Sequence, residues 1–361
     1  MTRQAHRRDR LRAEAAGRGF DAVLVTSLVN VRYLTGFTGS NGAVLVGATA
    51  AGDAVATDSR YRIQVGVRAP DLPAVIERAA AVALLKRASG QGMRRVGYES
   101  HDVTVDGLRD LAAAAPDVEL VSAERAVEGL RAVKDEAEIA TLGKACAIAD
   151  RALAGLLADG GLRAGRSERA VALDLDRRML ELGAAAVSFE TIVAAGPAGA
   201  SPHHRPDDRP LADGDLVVID FGAEHGGYHS DMTRTVGVGT LDGWQRDLYD
   251  VVARAHRAGC AAVIPGASTR AVDAAARSVI DQAGHGAEFG HGLGHGVGLE
   301  IHEAPALGPS SAGTLGALMT VTVEPGVYVE GRGGVRIEDT LVVRDGEPEL
   351  LTTTGRDLIT V

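Results

Sequence analysis

Cysteine is nearly absent from this chain: two residues, Cys146 and Cys260, in 361. Both lie among apolar residues with helical spacing, which reads as two small buried side chains rather than a disulfide or a reactive thiol. Low cysteine usage fits a reducing compartment. Aromatic residues make up only 3% of the chain, with a single Trp. A net basic charge is also lacking: 38 Lys and Arg stand against 48 Asp and Glu, a formal charge of -10. That balance argues against nucleic acid or an anionic membrane surface as a partner. No apolar run approaches the roughly 18 residues needed to span a bilayer. The polar opening Met1 to Arg10 has no apolar core behind it, so no secretory signal is read there and the expected location is the cytoplasm. Apolar residues at 45% are ample for a core, and the length predicts two domains.

Residues 1–130 alternate between helical and extended patterns. Arg7 to Arg18 reads as a helix closed by Gly19. Asp21 to Thr26, Gly42 to Gly47, Asp53 to Thr57 and Arg95 to Glu99 read as short strands, with helices over Arg60 to Val67, Arg78 to Ala88 and Val105 to Ala115. The expectation is a compact α/β domain without a chemical site, His101 being a solvated loop residue. Glu124 to Glu138 is charge-rich and opens a long amphipathic helix, its apolar face carried by Ile139, Leu142, Cys146, Ala149, Leu153 and Leu156. The domain boundary is placed near residue 130, giving domains 1–130 and 131–361.

The second domain repeats itself. Gly165-Arg-Ser-Glu-Arg-Ala-Val171 matches Gly266-Ala-Ser-Thr-Arg-Ala-Val272, an offset of 266 − 165 = 101, and Gly183 and Gly284 are again 101 apart. Ser167 and Ser268 read as N-caps of equivalent helices, and the later glycines as their C-terminal stops. Two similar halves are expected, each contributing a pair of acids to a shared centre.

The acids are Asp220 and Asp231 in the first half, Glu324 and Glu338 in the second. Leu216 to Ile219 is an unbroken apolar run ending in Asp220; glycines 222, 226 and 227 then mark a turn before Asp231. In a hairpin, Asp220 and Asp231 would face each other, and two carboxylates so close repel unless a cation neutralises them. Between the acidic pairs lies Phe289 to Leu299, with glycines at 290, 292, 294, 296 and 298 and with His291 and His295 left standing; His302 follows. Glycines there are read as keeping side chains clear of a ligand. Imidazoles and four carboxylates without thiolates suit Mn²⁺, Fe²⁺, Co²⁺ or Zn²⁺. Two ions balance four carboxylates better than one, and a dinuclear centre points to an acyl-transfer hydrolase.

On these motifs the chain resembles the M24 metallopeptidases of the pita-bread fold, in the branch holding aminopeptidase P and proline dipeptidase. Arg131 to Ile139 looks like that family's entry into its catalytic domain. The resemblance implies an α/β (α+β) architecture, with an N-terminal creatinase-like domain before a catalytic domain of two pseudo-symmetric halves. It implies Asp220, Asp231, His295, Glu324 and Glu338 as ligands of two divalent ions, Mn²⁺ foremost, with Asp231 and Glu338 bridging. His203, His291 and His302 match its substrate-side histidines, with His204 ranked behind His203, and Arg336 matches a basic residue beside the last ligand. Glu324 would also move the proton. Where many members carry Gly-x-Asn, this chain has Gly196-Pro197-Ala198.

The segments Tyr33 to Asn41 and Asp58 to Tyr61 resemble the aminopeptidase P branch. The expected activity is therefore hydrolysis of an N-terminal Xaa-Pro bond in peptides with proline second. Proline dipeptidase is the alternative. The full ligand set disfavours creatinase-like chemistry and a non-catalytic peptide-binding protein. The relatives' habit implies a homodimer or larger homo-oligomer.

Overall fold

The computed structural model describes residues 2–361, which form two compact units divided between Arg131 and Ala132. In the first, Arg3–Gly17 (α1) starts from Thr2, whose hydroxyl accepts from Ala5 N at 3.1 Å. Strands Ala22–Val25 (β1), Gly42–Gly47 (β2), Ala54–Thr57 (β3), Ala74–Ile76 (β4), Arg95–Tyr98 (β5) and Glu119–Ser122 (β6) make one mixed sheet in the order β4-β3-β2-β1-β5-β6. Helices Leu28–Thr35 (α2), Arg62–Arg68 (α3), Ala80–Gly90 (α4) and Val105–Ala114 (α5) complete it, followed by Ala126–Ala132 (α6). β4, β6 and α2 were absent from the sequence expectation; β4 has only three residues, too short to show a period. His101 is not simply solvated: its Nε2 lies 2.8 Å from Glu128 Oε1.

The long helix expected from Glu124 is broken. Val133 bridges to Met319 and Lys134 N donates to Leu318 O, so the backbone there is extended. The next helix, Glu136–Ala158 (α7), begins at Asp135 with a capping box: Asp135 Oδ1 accepts from Ala137 N and Glu138 N at 3.0 and 2.9 Å, while Glu138 Oε2 accepts from Asp135 N at 2.8 Å. A side chain that satisfies two free N–H groups stabilises a new helix start over continuation.

In the second unit, α7 and Glu168–Glu181 (α8) precede Ala186–Val187 (β7), Ile192–Ala195 (β8), Leu216–Phe221 (β9), Ala223–His225 (β10), Tyr228–His229 (β11) and Met232–Gly237 (β12). Gly243–Ala261 (α9) and Thr269–Gln282 (α10) then precede Gly294–Gly296 (β13), Glu303–Leu307 (β14), Thr320–Val323 (β15), Gly326–Val329 (β16), Gly333–Arg336 (β17), Asp339–Val342 (β18) and Glu349–Leu350 (β19). One core packs α7 and α8 on the β12-β9-β8 sheet; the other packs α9 and α10 against β15 to β18. The repeat is visible in detail. Ser167 Oγ accepts from Ala170 N and Ser268 Oγ from Ala271 N, both at 3.2 Å, and Gly183 and Gly284 past the helix ends have φ of 101° and 88°. Only glycine holds such a φ without strain. Among the described residues no helix is long and apolar enough to cross a membrane.

Candidate metal centre

The two halves deliver their acids at strand ends. β9 and β12 pair antiparallel with Asp220 opposite Thr233 and Phe221 opposite Met232. Asp231 therefore sits two residues from Asp220's direct partner, a diagonal neighbour on the same face. The expected face-to-face pairing is corrected to this diagonal one. In the second half Val323 pairs Asp339 as the last rung of β15 and β18, with Glu324 and Glu338 on either side of it. Asp231 and Glu338 are thus equivalent, each one residue before its return strand. Asp220 is matched by Thr322 rather than by Glu324.

These side chains line one cavity of about 840 Å³, together with His203, His204, His291, His295, His302 and Arg336. Asp231, His295 and Glu338 offer ligand atoms within 4.8 Å of one another. His295 Nδ1 lies 3.0 Å from Gly296 O, a carbonyl that only an N–H satisfies, so Nε2 of the neutral ring is bare. That Nε2 faces Asp231 Oδ2 at 3.5 Å and Glu324 Oε1 at 3.4 Å. Lone pairs are aimed at lone pairs, an arrangement that a cation between them makes favourable.

The acid–base balance agrees. Burial pushes His295 down to about 4, so it is neutral and ready to bind. Burial, then the charges of Asp220 and Glu324, hold Asp231 well above the usual carboxylate range. Glu338 is likewise raised, by burial and then by Asp231. Burial pushes Glu324 up to about 8 despite the opposing pull of Arg336. Asp220 Oδ1 and Glu338 Oε1 are buried without a hydrogen-bond partner, a costly condition in a native interior. The four carboxylates and His295 therefore fit divalent cations, and the donor set contains no thiolate.

The remaining oxygens are held firmly. Asp220 Oδ2 accepts from Arg336 Nη2 at 2.7 Å, and Glu338 Oε2 accepts from Thr233 Oγ1 at 2.8 Å. Thr233 Oγ1 in turn accepts from Arg336 Nε at 3.0 Å. Arg336 Nη1 donates to Tyr328 Oη, which lies 2.9 Å from His291 Nε2. His291 Nδ1 is 2.7 Å from Gly292 O, and burial lowers this ring to about 4. Thr233 and Tyr328 escape a sequence reading because a lone Thr in a strand and a lone Tyr carry no motif.

The histidines divide. His203 is exposed at the cavity, and the His302 ring stands 4.3 Å from that of His295 at 73°. His204, ranked behind His203, instead bonds the fully buried Glu168 at 2.7 Å. Glu168 Oε1 also accepts from Ala195 N at 2.8 Å. The glycine tract is corrected too. A Cβ on Gly294 or Gly296 would come within 2.1 Å of Thr322 O or 2.2 Å of Ala304 O, the backbones flanking β13, whereas Gly290 has open space. Those two glycines serve strand packing rather than ligand clearance.

Residues 140–345, more than half the chain, match metallopeptidase family M24, and residues 7–133 match the creatinase/prolidase N-terminal domain. The chain is 33% identical over 339 residues to an Xaa-Pro dipeptidase of Pyrococcus horikoshii, covering 94% of each. Among solved structures it is similar to an Xaa-Pro dipeptidase from Bacillus anthracis, with 36% identity and a TM-score of 0.95 over 99% of this chain and 100% of that one. It is also similar to an X-Pro aminopeptidase from Thermotoga maritima, with 32% identity and a TM-score of 0.89 over 98% and 99%. A creatinase-like α/β domain followed by a pita-bread domain of two similar halves, with this cavity between strand ends, agrees with both matches: the chain belongs to metallopeptidase family M24.

Proposed function

We propose that the protein is an Xaa-Pro dipeptidase in which Asp220, Asp231, His295, Glu324 and Glu338 would hold two divalent ions. The observation that carries the metal centre is the bare His295 Nε2 facing two carboxylates at 3.4–3.5 Å beside unpartnered buried oxygens of Asp220 and Glu338. The dipeptidase reading is supported by the end-to-end likeness to proteins named Xaa-Pro dipeptidase. It replaces aminopeptidase P as the first choice, and the Thermotoga maritima structure keeps that activity as the second reading. Mn²⁺ is the proposed metal, with Co²⁺, Zn²⁺ and Fe²⁺ as alternatives. The substrate is a peptide with proline second, and a homo-oligomer is the proposed assembly.

Bound divalent ions supply Lewis acidity and hydroxide at neutral pH. Glu324 would take a proton from the water whose oxygen bonds to the scissile carbonyl carbon and return it to the leaving nitrogen, which in an Xaa-Pro bond has no hydrogen and needs one as the C–N bond breaks. His203 and His302, both at the cavity, donate to the scissile carbonyl oxygen as it gains charge. Arg336 fixes Asp220 at 2.7 Å and, through Tyr328, the His291 ring.

The test strips the protein of metal, reloads it with Mn²⁺, and compares a Gly-Pro dipeptide with an Xaa-Pro-Xaa tripeptide, using Asp231→Asn as control. Dipeptide cleavage lost in the variant supports the proposal. Release of the first residue from the tripeptide establishes the aminopeptidase instead. Silence on both, with metal bound, overturns the proline-peptidase reading.

A further inference from the structure

Arg277 lines the cavity, where a cationic side chain invites assignment to a substrate carboxylate. Its guanidinium is already committed. Nε and Nη2 donate to Asp273 Oδ2 and Oδ1, both at 2.8 Å, one turn earlier on α10. Nη1 donates to Phe289 O at 2.9 Å and Nη2 to His291 O at 2.7 Å. Four of the five N–H donors of an arginine are thereby used. Its carbon Cζ also lies 4.1 Å over the Phe289 ring.

Asp273 works on the same segment. Only 1% exposed, it accepts from Leu293 N at 3.1 Å through Oδ1. The pair therefore grips three backbone groups, at residues 289, 291 and 293, on a stretch with glycines at 290 and 292. A Cβ at residue 290 would meet nothing within 4 Å, so packing does not fix the backbone there. Phe289, held under Arg277, presses on the His291 ring at 5.1 Å and 90°.

We infer that Asp273 and Arg277 are positioning residues: they set the His291 imidazole, through its backbone and through Phe289, and Arg277 does not bind substrate. The fork matters more than the charge, because one planar group reaches Asp273 and two carbonyls at fixed angles, which an ammonium does not reproduce. The catalytic part of this inference rests on the proposed proline-peptidase reading; the geometric part does not.

The test uses Arg277→Lys in the metal-loaded protein, with whichever Xaa-Pro substrate the wild type cleaves. Loss of an orienting partner should lower kcat roughly 10- to 100-fold with KM changed less than about twofold and metal content unchanged. In a His291→Ala background the same substitution should add less than about a twofold loss, since its effect passes through that ring. A KM increase at unchanged kcat makes Arg277 a substrate-binding residue and overturns the inference, as does full additivity with His291→Ala. A readout independent of turnover is the ¹⁵N imidazole spectrum, with the His291 signals assigned by their loss in His291→Ala. Arg277→Lys should move them; unmoved signals overturn the inference. If the wild type cleaves no Xaa-Pro substrate, the functional reading falls and the spectrum alone decides. Should Arg277→Lys unfold, Asp273→Asn replaces it with the same criteria.

Discussion

Glu338 and Asp339 are neighbours in the chain, 1% and 0% exposed, and their carboxyls are driven in opposite directions. Strand alternation sends them to opposite faces. Asp339 meets Arg234 Nη2 at 2.8 Å, Arg356 Nε at 2.5 Å, His256 Nε2 at 3.1 Å and Thr352 Oγ1 at 2.6 Å. Burial raises its carboxyl, but the His256 hydrogen bond and the Arg234 charge outweigh burial and hold it below the usual range. Glu338 receives one hydroxyl, from Thr233, and faces Asp231. Equal burial, opposite outcome: what differs is whether the chain supplies its own cations. Around Asp339 it does, and the carboxylate is structural. At the cavity the only bond from a lining arginine to the four carboxylates, among the described residues, is that of Arg336 to Asp220, and the set is left short of positive charge.

The sharpest way to break the comparison is Asp231→Asn. Removing one carboxylate of the cavity set should cost roughly a thousandfold or more in kcat/KM, several kcal/mol of transition-state stabilisation, with loss of bound metal measured on the same sample. The metal-free variant should melt no lower than the metal-free wild type, because an uncompensated buried charge has been removed. On the other face, Asp339→Asn strips Arg234 and Arg356 of their counter-charge and should cost about 3–5 kcal/mol by denaturant unfolding. A variant as stable as wild type would show the Asp339 cluster to be dispensable. Thr233→Val addresses the junction, since Thr233 orients Glu338 and braces Arg336; about a 10- to 100-fold loss of metal affinity or activity is expected, read by competition with a chelator.

The smallest effect is in pH. Glu324 rises to about 8 in the folded, metal-free protein, against an unfolded value of ~4.3. Between those values the native state binds more protons than the unfolded one, so stability falls as pH rises through that window. Denaturant midpoints at pH 5 and pH 8 should therefore differ with chelator present and converge with metal bound. A metal-free protein equally stable at both would remove the charge argument.

Much of this was readable in the chain. An apolar run ending in Asp220, a glycine-punctuated turn, and two copies of a capped helix 101 residues apart located the acids and the halves. What escaped the sequence reading mostly shares a cause, dependence on a partner remote in sequence. Nothing local says that Asp220 pairs with Thr233 rather than Asp231, that His204 turns to Glu168, or that glycines 294 and 296 answer carbonyls at 322 and 304. The broken helix at Asp135 is different, because the capping signal was local, but a continuous charge pattern masked it.

By itself the sequence determined which residue types reach the centre, because strand ends, caps and glycine stops act over a few residues. Tertiary structure alone decided their chemistry. Whether a buried carboxylate is matched by charge, like Asp339, or left short of it, like Glu338, depends on which cationic side chains from remote segments fall within a few ångströms of it.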